Sequence, residues 1–127
     1  LQEAIEQADL FFVSIDTPTK ARGLGAGYSL NIDRLEDIIT SISRYTTSNK
    51  IIVEKSTVPV GTGKTIQQLL NNHTRPGVHF EVFPNPEFLA EGTAIQNLLC
   101  PDRIIIGSSE TKHGLMSAET LADVYAS

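Results

Sequence analysis

Tryptophan is missing from this sequence, methionine and cysteine occur once each, and only five phenylalanines and three tyrosines supply aromatic rings. The lone Cys100 excludes an internal disulfide and points to a reducing, cytoplasmic compartment. No apolar run approaches the roughly 20 residues that span a bilayer. The opening LQEAIEQADL has no basic start, no long apolar stretch and no small-residue cleavage site, so it is not a signal peptide. It also lacks an initiator methionine and reads as the end of a helix, so the chain is expected to be a piece of something longer. Basic residues are few: 10 Lys and Arg against 15 Asp and Glu give a net charge of -5. That balance excludes a nucleic-acid surface or an anionic membrane as partner. His73, His79 and His113 show no metal-ligand spacing with one another or with Cys100, so they are read as surface residues and no metal is expected. Repeats and low-complexity segments are absent.

What is present is an alternation of two hydrophobic periods in a chain of 127 residues, 40% hydrophobic and 20% charged, the size and content of one domain. ADLFFVSI, Ala8 to Ile15, is a short continuous apolar run, as in a strand covered on both faces. Ile32, Leu35, Ile38, Ile39 and Ile42 recur at helical spacing, with Asn31 or Ser29 available as cap. IIVE (Ile51 to Glu54) is a second strand, and Gly61 to Asn72 a second helix. VHFEVF (Val78 to Phe83) and RIIIG (Arg103 to Gly107) are read as third and fourth strands, and Leu115 to Tyr125 as a last helix. The order predicts an α/β fold with a mostly parallel sheet. Ligands of such sheets bind beyond the carboxyl ends of the strands. The unusual segments DTPTKARGLGAGYS, KSTVPVG and PNPEFLAEGT all follow strands and converge on that rim.

Two of these segments imitate phosphate-binding motifs. VPVGTGKTI contains Gly63, Lys64 and Thr65, but the first glycine of a Walker-type loop would fall on Val58, and Pro59 removes a backbone donor. Gly61 to Thr65 is therefore read as a helix start, with Lys64 solvated. Gly23, Gly25 and Gly27 give two glycines of a dinucleotide fingerprint, but Tyr28 occupies the third position and no strand leads into it. They are read as a flexible loop. NPEFLAEG is more informative. Asn85 as N-cap, Pro86 at the first helical position and Gly92 as terminator predict a short helix. Glu87 and Glu91 would lie on one side of it. Such a pair is compatible with solvated surface acids, with one carboxyl of raised pKa, or with a paired-carboxylate hydrolase. Chemistry alone does not choose among them.

Together, TPTK, EKSTVPVGT, NPEFLAEGTAI and PDRIIIG resemble the UDP-glucose 6-dehydrogenase family, over Ala8 to Ser127. The resemblance implies the second half of a Rossmann-like, doubly wound NAD-binding domain, with residues 1–127 a partial domain. It implies NAD as cofactor, UDP-glucose as substrate, and a homo-oligomer in the full-length protein. In that family the 6-hydroxyl of UDP-glucose is oxidised twice and a cysteine thioester is hydrolysed to give UDP-glucuronate. Ile15, Asp16, Thr17, Pro18 and Thr19 match the loop along the NAD adenosine and pyrophosphate. Ser56, Thr57 and Val58 match the turn at the dinucleotide, with the Thr57 hydroxyl also holding a catalytic water. Glu87 matches the acid/base residue of thioester hydrolysis, and Glu91 a residue near the cofactor. The backbone from Glu87 through Phe88, Leu89 and Ala90 to Glu91 matches the segment that lines the sugar nucleotide. Related dehydrogenases of GDP-mannose or UDP-N-acetylmannosamine, and a truncated non-catalytic nucleotide-binding homologue, are the alternatives.

The chain also departs from the family. Asp16 stands where many relatives have Asn, placing an extra negative charge near a pyrophosphate, and Pro84 replaces a common Ser. The glycine fingerprint is expected upstream of Leu1, and the nucleophilic cysteine and catalytic lysine downstream of Ser127. Cys100, in LLCPDR, is expected to be a small buried residue at the end of the sheet away from the rim. The strand at Leu10 to Ile15 is expected to expose an apolar edge.

Overall fold

A computed structural model describes residues 2–127. Its elements run α1 (Gln2–Gln7), β1 (Leu10–Val13), α2 (Asp33–Tyr45), β2 (Lys50–Glu54), α3 (Thr62–His73), β3 (Phe80–Pro84), α4 (Ala94–Leu99) and α5 (Lys112–Ala126). The strands form one parallel sheet in the order β1-β2-β3. Phe12 pairs with Val53, and Val53 with Phe83.

Alternation along β2 explains how both faces are covered, because successive side chains of a strand point to opposite sides. Ile52 packs with Leu35, Ile39 and Ile42 of α2 and with Ile66 and Leu70 of α3, in a core that Ile5, Val13 and Phe80 complete. Val53 turns the other way, against Phe83 of β3 and Leu121 of α5. Helices thus lie on both faces of the sheet, as expected for a doubly wound fold. The N-cap position of α2 falls on Ile32, not on Asn31 or Ser29, and no side chain caps it; Asn31 acts one residue earlier, its Oδ1 accepting from the Asp33 amide at 2.9 Å. Thr111 is the N-cap of α5, its Oγ1 accepting from the Gly114 amide at 3.0 Å.

Four further expectations are corrected. Residues 85–90 form no helix; a turn at 91–93 leads instead into α4. Local capping loses there because Asn85 is drawn into long-range bonds: its amide donates to the Glu54 carbonyl at 2.9 Å and its side-chain Nδ2 to the Ile105 carbonyl at 2.7 Å. Glu87 and Glu91 consequently share no helical face. RIIIG is not a strand either; the Gly107 amide meets the Pro84 carbonyl at 2.8 Å, but no ladder follows, and Ile104 and Ile105 are exposed. β1 is not covered on both faces: Phe12 is 45% exposed, although Tyr125 stands edge-on to it with ring centroids 6.2 Å apart. β1 pairs only with β2 among the described residues, leaving the sheet edge that was expected.

The fourth correction concerns the glycine loop. Gly23, Gly25 and Gly27 all take positive φ, which glycine alone adopts without steric cost. Their turns are held rather than loose. Lys20 and Ser29 bond at 2.7 Å, the Gly27 amide reaches the Lys20 carbonyl at 2.9 Å, and Thr19 bridges Leu30 antiparallel.

Candidate functional site

The carboxyl ends of β1 and β2 are stitched together by the residues that follow them. The Ile15 amide donates to Ser56 Oγ at 2.9 Å, the Lys55 amide to the Val13 carbonyl at 2.9 Å, and Thr17 Oγ1 to the Thr57 carbonyl at 2.5 Å. Ile15, Asp16, Thr17, Ser56 and Thr57 therefore meet at one rim. Ser56 is buried within it, and Thr57 is exposed. Ile15 and Val58 lean on the core below. Pro18 and Thr19 lead away into the glycine loop, the Pro18 carbonyl accepting from the Asn31 amide at 2.7 Å. The extra charge of Asp16 is answered locally, since Arg34 of α2 stands 2.6 Å from its carboxylate.

The turn at 59–62 shows why this rim has no Walker-type loop. Gly61 has φ of 93°. The Thr62 amide folds back on the Pro59 carbonyl at 3.2 Å, and the Lys64 amide on the Gly61 carbonyl at 3.0 Å. Donors that would cradle a phosphate are spent inside the chain.

A second group gathers beside the first. A cleft of about 180 Å³ is lined by Glu87, Phe88 and Leu89, with Lys55, Arg103 and Tyr125 among its walls. Asn85 organises it from a position only 1% exposed. Its Oδ1 accepts from Lys55 Nζ at 3.1 Å and from the Tyr125 hydroxyl. The Lys55 ammonium also lies 5.7 Å from the Tyr125 ring centroid, and the Arg103 guanidinium 4.3 Å from that of Phe88, both within cation–π reach. Glu87 is half-buried, while Ala90 and Glu91 are exposed. The Ala90 amide is held by Asn97 Oδ1 at 3.1 Å, and neither Ala90 nor Glu91 lines the cleft.

The last residue of β2 is Glu54, 3% exposed. Burial, followed by the charge of Glu87, raises its pKa from the ordinary 4.5 to about 7, against the pull of a hydrogen bond from the Ser56 backbone. A desolvated carboxyl keeps its proton because the charged form loses more hydration than the neutral one.

Sequence reasoning missed Glu54, Lys55, Arg34 and Tyr125, and read Asn85 as a cap. The signal for Glu54 was an acid closing an otherwise apolar strand. Nothing local marked Tyr125, because its partner is forty residues away. Cys100 is corrected too: it is exposed, and its neighbours Leu98 and Pro101 line the rim cleft, so it is neither buried nor at the far end of the sheet. The three histidines are exposed, as expected.

Comparison with known proteins shows the family of the chain. A family model described as the NAD-binding domain of the UDP-glucose/GDP-mannose dehydrogenase family matches residues 1–127. UDP-glucose 6-dehydrogenase 1 of Oryza sativa is 49% identical over 98% of this chain and 26% of its own length. The Drosophila melanogaster UDP-glucose 6-dehydrogenase is 45% identical over 98% of the chain and 26% of its own length. The chain thus spans about a quarter of these relatives. Among solved structures, a UDP-glucose dehydrogenase from Pyrobaculum islandicum superposes with a TM-score of 0.82 at 32% identity, covering 99% of this chain and 28% of that one. A GDP-mannose dehydrogenase from Pseudomonas aeruginosa superposes with a TM-score of 0.80 at 27% identity, covering 98% and 28%.

Proposed function

We propose, from the premise that the chain belongs to the UDP-glucose/GDP-mannose dehydrogenase family, that it forms part of an NAD-dependent UDP-glucose 6-dehydrogenase. The observation that carries this reading is the meeting, at the carboxyl ends of parallel strands, of a hydroxyl-rich turn and a half-buried glutamate beside a cleft.

The rim fits a dinucleotide. Thr17 and Thr57 offer hydroxyls, the Ser56 bond keeps the turn closed, and Arg34 offsets the Asp16 carboxylate that would otherwise repel a pyrophosphate. Residues 15–19 and 56–58 would hold it, with Glu91 close by. NAD, when bound, would supply the hydride acceptor, one molecule for the oxidation of the sugar alcohol to the aldehyde level and a second for the oxidation of that carbon to the thioester. This chain's own residues serve the hydrolytic step. The Thr57 hydroxyl orients a water, and Glu87 takes that water's proton as its oxygen bonds to the acyl carbon. The carbon–sulfur bond breaks, and sulfur leaves as thiolate. Half-burial suits Glu87 to the task, because a base shielded from bulk water competes better for the proton of a held one. The backbone from Glu87 to Glu91 lies along the sugar nucleotide, with the Phe88 ring steadied by Arg103.

The test is Glu87→Gln in the full-length protein. General-base assistance is typically worth about a hundredfold or more, so thioester hydrolysis should slow by that order while NAD affinity stays near normal. Unchanged turnover would sink the assignment. GDP-mannose is the second reading, favoured by the 27% identical GDP-mannose dehydrogenase structure; NADH formation with each sugar nucleotide separates the two.

A further inference from the structure

Asn85 has no chemical role in thioester hydrolysis, yet its side chain joins three segments that meet at the cleft. It is 1% exposed, and a buried side-chain amide is stable only when its polar atoms find partners inside the protein. Nδ2 donates to the Ile105 carbonyl at 2.7 Å. Oδ1 accepts from Lys55 Nζ, just after β2, at 3.1 Å, and from the Tyr125 hydroxyl near the end of α5. The backbone amide of Asn85 adds a bond to the Glu54 carbonyl at 2.9 Å. Two donors on one side and an acceptor on the other leave the side chain a single orientation.

Only Pro86 separates this anchor from Glu87. The proline ring fixes its own φ near −65° and holds the residue before it in extended backbone, so the link between Asn85 and Glu87 is stiff. Among the described residues the ion pairs are Arg34 with Asp16 and Lys50 with Asp9, so no ion pair steers the Glu87 carboxylate. Its aim is set by the chain that carries it. Asn85, Glu87, Lys55 and Tyr125 line the same cleft. Tyr125 is held there independently of its hydroxyl: its ring stands edge-on to Phe12 of β1 with centroids 6.2 Å apart, and the Lys55 ammonium lies 5.7 Å from its centroid. The hydroxyl therefore meets Asn85 with little further loss of side-chain freedom.

We propose that Asn85 is a positioning residue for Glu87, oriented by the Tyr125 hydroxyl and Lys55, a role that rests on the reading of Glu87 as the hydrolytic base. The network aims the segment from Asn85 to Glu87, so that the carboxylate meets the water held at Thr57. Asn85 and Tyr125 exchange no proton with that water. Without the hydroxyl, Oδ1 keeps Lys55 alone, the amide turns more freely, and Glu87 spends less time within reach of its proton. A misplacement of about 1 Å can cost a catalytic group on the order of a hundredfold; loss of one anchor among several should cost about tenfold.

The experiment is single-turnover hydrolysis of the enzyme-bound thioester, followed by rapid quench in the full-length protein, its Y125F and E87Q variants and the double variant. The rate of the first oxidation and the KM for each substrate are measured alongside. Tyr125→Phe should slow hydrolysis about tenfold, with the first oxidation and both KM values near wild type. Combined with Glu87→Gln it should slow hydrolysis no further, because residues that act as a unit are non-additive. A hydroxyl that served only stability would slow every step alike, or impose the same factor in both backgrounds; either result, or wild-type hydrolysis in Tyr125→Phe, overturns the proposal. Lys55→Gln removes the other donor to Oδ1 and serves should Tyr125→Phe not fold. It should show the same selective loss and the same non-additivity, and a uniform or additive loss would overturn the proposal equally. Glu87→Gln keeps the two ideas apart. Wild-type hydrolysis in that variant overturns the base assignment itself, whereas impaired hydrolysis there with an unaltered rate in Tyr125→Phe overturns only the positioning.

Discussion

At the scale of single residues, the rim depends on two buried polar groups in opposite situations. Asn85 is fully employed, by Lys55, Tyr125 and the Ile105 carbonyl. Asn85→Ala would orphan several of these at once, so a loss of about 2–4 kcal/mol is expected, read as a lowered melting temperature of the full-length protein. Glu54 is the reverse, a carboxyl held neutral by burial. Between 4.5 and about 7 the folded state keeps a proton that the unfolded state releases. Stability from this group is therefore greatest below that window and falls as pH rises through it. The loss amounts to roughly 3 kcal/mol. Glu54→Gln should flatten the decline of melting temperature over that range; an unchanged slope would refute the burial argument.

At the scale of elements, α5 closes one face of the sheet through Leu121, fully buried against Val53 and Phe83. Leu121→Ala should cost about 2–5 kcal/mol, again measured as a shift in melting temperature. The helix itself was legible in the sequence, as were α2, α3 and the three paired strands, because each repeats its apolar residues at the period of its own structure. Failures came where distant partners outweighed local preference. Asn85, Pro86 and Gly92 satisfy every local rule for a short helix, and the chain stays extended because Asn85 answers to β2 and to Ile105 instead. RIIIG has strand composition but only one backbone bond to β3, since β propensity becomes a strand only when a ladder forms. For the site, the loops and Glu87 could be read from motifs. The partners that shape their electrostatics, Glu54, Arg34 and Tyr125, lie in other elements and carry no pattern of their own.

At the scale of the whole molecule, the residues in hand supply a rim and a proposed base, across about a quarter of the relatives' length. The nucleophilic cysteine and the catalytic lysine are expected, on the family resemblance, after Ser127. The 127-residue chain alone is accordingly expected to produce no NADH from UDP-glucose, and a measurable rate from the purified chain would refute this. Among the described residues β1 also leaves an unpaired backbone edge with Phe12 half-exposed beside it, the kind of border that recruits other strands. Light scattering should show self-association, and a monodisperse monomer would count against it.

The glycine loop bears on how such a domain can vary without losing its site. Thr19 and Leu30 sit side by side, so the ten residues between them leave the scaffold and return to nearly the same point. The span is a closed appendix: its length and composition are free to change while the endpoints, and the cofactor-facing residues just before them, stay where α2 and β1 put them. Diversity among relatives can accumulate there at little cost to the rim.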